Sequence, residues 1–171
     1  MLDNELIDMV KQIQLVRSES NKVEIKAANK GCPKVRDSLS SFSNQLGGGV
    51  IIFGVDENDG YAVCGVYDAA DLMKKVEAQC QEMMPVIRPL FSVASIDGKT
   101  VVSAEIQEID NADKPCFYSG VGRLKGSYVR SGDADRLMTE YEVYSYEAFK
   151  KSIHDELRTC ERAFEKDIQT N

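Results

Sequence analysis

Three acidic residues stand where they could act on one substrate. Glu19 lies just before an alternating stretch, Glu24 lies within it, and Asp56 closes the apolar run from Val50 to Val55. Neighbouring strands of one sheet would bring such carboxylates together. Hard oxygen ligands of that kind hold Mg²⁺ or Mn²⁺ and activate water for phosphodiester cleavage. The plain alternative reads Glu24, between Lys22 and Lys26, as a charged strand face and Asp56 as a turn residue. Spacing alone leaves both readings open.

The basic residues are distributed unevenly. The chain of 171 residues carries a net charge of −7, which argues against indiscriminate binding to polyphosphate. Yet residues 17–36 hold Arg17, Lys22, Lys26, Lys30, Lys34 and Arg36 against only Glu19 and Glu24, and residues 114–130 hold Lys114, Arg123, Lys125 and Arg130 with no acid. Two basic stretches on an acidic body are what a localised phosphate-facing surface needs, solvated charge being the alternative. Lys22, Lys26, Lys34, Arg36, Arg123, Lys125 and Arg130 are the candidate contacts to DNA or RNA.

Other signals are structural. Gly98-Lys99-Thr100 has part of a P-loop, but the glycine required five residues before the Gly-Lys pair is Val93, so a hairpin turn is expected there. Gly47-Gly48-Gly49 reads first as a helix stop and tight turn. The five cysteines are scattered without a CxxC pair and are expected as reduced thiols; the single histidine, His154, is expected on a surface. No apolar stretch approaches the ~18 to 20 residues of a membrane span. The first residues lack the basic and apolar regions of a secretory leader, so a cytoplasmic chain is expected.

These residues need elements to position them. Leu2, Leu6, Met9, Val10, Ile13 and Val16 predict an amphipathic first helix. Alternation over Lys22–Ala27 predicts a strand with Val23, Ile25 and Ala27 inward and Lys22, Glu24 and Lys26 wet. A helix from Pro33 through Leu46 is expected, stopped by the glycines, then a buried strand over Val50–Val55 and a hairpin return over Tyr61–Val66. Apolar positions from Leu72 to Met83 predict a third helix, and Asp97-Gly98-Lys99 predicts the turn between strands at Leu90–Ile96 and Thr100–Ile106. Tyr128–Arg130 is expected as a short strand, and a long charge-rich helix follows from about Glu140. The fold class is α+β, a mixed sheet with flanking helices, with a domain over 1–140 and a helical extension over 141–171.

Glu19-Ser20 with Glu24-Ile25-Lys26, then Ser41-Phe42-Ser43-Asn44 leading into Gly47-Gly48-Gly49-Val50-Ile51-Ile52-Phe53-Gly54-Val55-Asp56, resembles the Schlafen AlbA-like domain, also called a divergent AAA domain. Gly65-Val66, Pro85, Lys114-Pro115 and Tyr128-Val129-Arg130-Ser131-Gly132 continue the resemblance in order to about residue 140. Ile25 replaces the usual Phe, Ser41 and Ser43 replace Ala, and Gln45 replaces Thr. The resemblance implies a nucleic-acid-binding role, often in proteins described as transcriptional regulators. In eukaryotic members it implies a metal-dependent RNase site, which would fall here on Glu19, Glu24 and Asp56. ATP binding has no support in these residues.

Three functions therefore compete: a DNA- or RNA-binding domain, a divalent-metal-dependent endoribonuclease, and a dimerisation or protein-interaction module. Schlafens pair two related lobes, so a homodimer would rebuild the two-lobed groove.

Overall fold

The computed structural model describes residues 1–169. Thr170 and Asn171, at the end of the expected extension, lie outside them. The amphipathic start forms helix α1 (Asp3–Val16), which buries Leu6, Val10 and Ile13. Strand β1 (Val23–Lys26), helix α2 (Arg36–Asn44), strand β2 (Gly49–Phe53) and the short pair β3 (Val55–Asp56) and β4 (Ala62–Val63) follow. Helix α3 (Ala69–Gln81), β5 (Met83–Met84), the hairpin β6 (Leu90–Ile96) and β7 (Lys99–Ile106), and β8 (Phe117–Tyr118) come next. The chain finishes with a one-turn helix α4 (Arg123–Gly126), the hairpin β9 (Tyr128–Ser131) and β10 (Ala134–Leu137), and helix α5 (Glu140–Gln169).

The main sheet has the order β1-β2-β7-β6, with β1 parallel to β2 and the other pairs antiparallel. Period-two alternation divides the core between its faces. Ile25, Ile52, Ala94 and Val101 pack with Leu6, Val10 and Ile13 of α1. Ile51, Phe53, Val102, Ala104 and Ile106 pack with Leu39 and Phe42 of α2 and Leu72 and Val76 of α3. Both faces are covered, which is why β2 reads as an unbroken apolar run. The chain is α+β, with a mixed sheet between helices and a long last helix.

Several expected elements move. The strand expected over Val50–Val55 is broken at Gly54, whose φ of +104° suits glycine and whose carbonyl accepts the amides of Cys64 and Gly65. The return expected over Tyr61–Val66 shrinks accordingly to β4. The second helix starts at Arg36 instead of Pro33, because the Val35 amide donates to the Gln79 side chain at 2.8 Å. The Asp97-Gly98 hairpin is as expected: both residues have positive φ and Ile96 pairs with Lys99. Glycines 48 and 49 have packing reasons: a Cβ on Gly48 would sit 2.1 Å from the Ile106 carbonyl oxygen and one on Gly49 2.3 Å from Phe42.

Helix α2 is the hub. Every residue from Ser38 to Asn44 is buried, polar ones included. Its apolar side fills the sheet core, while its polar side holds the chain on either side of α4. Asn44 accepts the Cys116 amide at 2.7 Å and donates to the carbonyls of Cys116 and Tyr128, both at 3.1 Å. Ser40 donates to the Cys116 carbonyl at 2.7 Å and accepts the Tyr128 amide at 2.8 Å. These side chains supply the backbone pairing that an adjacent strand would otherwise give.

Asn44→Ala strands the buried Cys116 amide, removes a donor from the Tyr128 carbonyl and leaves the Cys116 carbonyl to Ser40 alone, and should lower stability in urea unfolding by about 1 to 3 kcal/mol. Ser145→Ala, on the exposed first turns of α5, should stay within about 0.5 kcal/mol of the parent. Similar midpoints for the two variants would remove Asn44 from this role.

Candidate nucleic-acid interface

Arg130 lies in the β9–β10 hairpin that closes over α2, and its side chain is 0% exposed. Nη1 donates to Glu24 Oε2 at 2.5 Å and to Asp135 Oδ1 at 3.0 Å, and Nη2 donates to the carbonyls of Ser20 and Val23, each at 3.1 Å. The guanidinium also lies 5.1 Å from the Phe42 ring centre. Asp135 further accepts the hydroxyls of Ser38 at 2.7 Å and Ser41 at 2.5 Å. Burial alone would lower the Arg130 pKa, but the two carboxylates outweigh it and hold the pKa above its ordinary value. The expectation that Arg130 faces phosphates is corrected: its charge is consumed internally. The expectation of a wet Glu24 is corrected with it, since this hairpin covers that face of β1 and leaves Glu24 8% exposed.

The three carboxylates have separate roles. Glu24 is held between Arg130 and Lys26, the latter at 3.0 Å. Glu19 accepts the Ile25 amide at 2.8 Å. Burial pushes the Glu19 carboxyl up to about 7, the Ile25 amide opposing and Glu24 adding to the shift. Asp56 accepts the Asn58 amide at 2.9 Å and caps the turn at Glu57–Asp59. Among the described residues no group of three or more His, Cys, Asp or Glu side chains is arranged to hold a metal ion. This donor set does not fit Mg²⁺ or Mn²⁺: Glu24 would have to give up two cations, and Asp56 is turned to its own loop.

The remaining bases fall into two groups. Lys26 meets Arg130 on Glu24, while Lys22 donates to the Leu46 carbonyl at the glycine turn. Lys114, part of the second basic stretch, is buried against Glu108 at 2.6 Å. The other group surrounds β8. Arg36 pairs with Glu82 at 2.7 Å and lies 4.3 Å from the Tyr118 ring centre; Arg123 pairs with Glu147 at 3.2 Å and lies 5.6 Å from the Phe117 ring centre. Two sequence-distant arginines thus meet consecutive residues of one strand. Lys34 and Lys125, each two positions from one of these arginines in sequence, are exposed and without an ion-pair partner among the described residues.

Beside β8 lies an open cleft of 640 Å³ whose lining includes Phe117, Arg123, Lys125, Tyr144 and Glu147. Tyr144 is 53% exposed. Cations beside accessible aromatic rings can hold a phosphate chain and stack its bases. The charge count singled out the bases but passed over Phe117, Tyr118 and Tyr144. Their signal was the interleaving of aromatics with bases after Lys114.

The comparisons agree with the fold. A family model described as Schlafen, AlbA_2 matches residues 19–139. A solved structure with a TM-score of 0.57 and 25% identity, covering 77% of this chain and 92% of the other, is the N-terminal domain of a RecG-related protein from Nitrosomonas europaea, one named for its relation to an ATP-dependent DNA helicase. The DIP2311 protein of Corynebacterium diphtheriae shares the fold at a TM-score of 0.52 and 16% identity, matching 84% of this chain but only 28% of its own. No curated protein matches.

Two outcomes are expected from this geometry. Arg130→Lys cannot reproduce the guanidinium fork and leaves buried acceptors unmet, so it should cost about 3 to 5 kcal/mol in urea unfolding. A cost below about 1 kcal/mol would show that the network is not structural. Glu19 titrates from about 7 in the folded chain against an ordinary 4.5, so the folded state holds the extra proton between those values. Its favourable contribution is fully present below the lower value and lost as pH rises through the upper one. Glu19→Gln keeps the acceptor and should melt above the parent at pH 8, the difference vanishing at pH 4. An equal difference at both pH values would contradict the assignment.

Proposed function

The chain belongs to the Schlafen AlbA_2 family, and from that membership we propose that it is a nucleic-acid-binding domain, acting on DNA or RNA as part of a cytoplasmic, homodimeric transcriptional regulator. The observation that carries the reading is the cleft beside β8, where Arg123 and Lys125 lie with the exposed ring of Tyr144, while Arg36 stacks on Tyr118, the next residue of the strand. The ion pairs to Glu82 and Glu147 are partly exposed, and such pairs are worth only about 0 to 1 kcal/mol. A phosphate can therefore replace either glutamate at small cost. Arginine suits this exchange, because its planar fork grips phosphate oxygens while its face stays on the aromatic ring. The helicase-related name of a similar structure adds support.

Fluorescence anisotropy with labelled single-stranded and duplex DNA and RNA tests the reading. Affinity should fall with salt at a log-log slope of about −0.7 to −0.9 per neutralised phosphate, and Arg123→Ala with Lys125→Ala should make the slope shallower by about 1 to 2. Tyr144→Ala should weaken single-strand binding by about 1 to 3 kcal/mol if the tyrosine stacks on a base. No binding to any of the probes at low salt would overturn the proposal in favour of a protein-interaction module. Binding lost through Lys22→Ala and Lys26→Ala but untouched at β8 would move the interface to the glycine turn.

A further inference from the structure

Helix α5 is 30 residues long, which at the α-helical rise is about 45 Å. Its first half leans on α4 and the Asn111–Asp113 turn, with Val143 buried and Tyr146, Lys150 and Ile153 partly covered. Every residue from His154 to Gln169 is exposed. A helical stretch of that length has little stability in water without a packed face. The apolar residues are not scattered. Val143, Tyr146, Lys150, Ile153, Leu157, Cys160 and Phe164 recur at alternating three- and four-residue steps, which is a coiled-coil seam interrupted once by a lysine. The seam that meets the body at its start continues into solvent, leaving Leu157 59% and Phe164 68% exposed.

We propose that the outer half of α5 pairs antiparallel with α5 of a second copy of this chain. The charges bordering the seam favour that orientation over the other. In a parallel, in-register pair, Lys150 would face Lys150 of the other copy, and Glu156 would lie across from Glu161 of the other copy. Both juxtapositions are repulsive. In an antiparallel pair centred between Leu157 and Cys160, Leu157 layers with Cys160 and Ile153 layers with Phe164. The same register sets His154 across from Glu161 and places Lys150 in the layer of an acid, Asp167. The two partner positions are related by a two-fold axis, so every contact occurs twice.

The inference deepens the homodimer part of the proposed function and is independent of its nucleic-acid part. Sedimentation equilibrium of the full chain without nucleic acid should therefore show a monomer–dimer equilibrium. Leu157→Glu places an acid in the central layer and should weaken association about 30-fold or more while leaving the domain's melting transition in place, since Leu157 is exposed in the single chain. Phe164→Glu should act alike and guards against a local effect at one position. Orientation is read separately by mild oxidation. Leu157→Cys should form disulfide-linked dimers through Cys160 of the other copy, whereas the parent should not cross-link through Cys160. A monomer at all concentrations, or a dimer insensitive to both glutamates, overturns the helix interface; the second result keeps a dimer but moves it elsewhere. Cross-linking of the parent at Cys160 overturns the antiparallel arrangement. Loss of nucleic-acid binding with intact dimers would fault the proposed function and leave this inference standing.

Discussion

A guanidinium withdrawn from water must find its hydrogen bonds inside the protein, and the position of β1, the β9–β10 hairpin and α2 follows from how Arg130 does so. Its terminal nitrogens reach two carboxylates and two main-chain carbonyls, and the Phe42 ring lies against its face. Glu24 comes from the edge strand of the sheet, Asp135 from the hairpin, and Phe42 from the helix between them. Only Nε lacks a partner. Burying one cation with two anions is costly in desolvation, so the gain lies in the penalty for any arrangement that separates them. That penalty seats the hairpin in one place, on the polar side of α2.

The same logic explains why a helix so rich in serine and asparagine is buried. Ser38 and Ser41 hold Asp135 in place, and Ser40 and Asn44 pair with the backbone of Cys116 and Tyr128. Small hydroxyl side chains let the covering strands approach closely while meeting their buried polar groups. Serine at 41 in place of the family's usual alanine is therefore no loss of packing, because its hydroxyl is a ligand of Asp135. Ser43 differs: its buried hydroxyl makes no hydrogen bond of ordinary geometry, and its polar neighbour is the buried Cys116 thiol, where it opposes the rise in pKa that burial causes.

These anchored segments flank β8 and α4, and that is the link from fold to function. With Cys116 clamped on one side and Tyr128 on the other, Phe117, Tyr118 and Arg123 are carried on a short loop over a fixed base. Arg36 enters from the first turn of α2 itself. The bases at β8 are thus held by the hub that Arg130 organises. The carboxylates that a metal site would need are drawn into that hub or into turns instead.

The primary structure by itself determined the main helices and strands in their order, the Asp97-Gly98 hairpin and the length of the last helix. These depend on local periodicity and turn chemistry, which are written along the chain. Membership of the Schlafen family was likewise legible from Glu19 to Gly132 as an ordered series of short motifs. Which charges would be wet was decided only by the tertiary structure. Glu24 alternates like an exposed strand residue, and Arg130 sits in a basic stretch, yet each is the other's partner across more than half of the chain. Local pattern reports that a residue is charged; it cannot report that an opposite charge from a remote segment will arrive within hydrogen-bonding distance, because that depends on how the layers close over one another. The arginines at β8 illustrate the converse. Each was visible as a base, but their meeting on adjacent aromatic rings required α2 and α4 to be brought to the same strand.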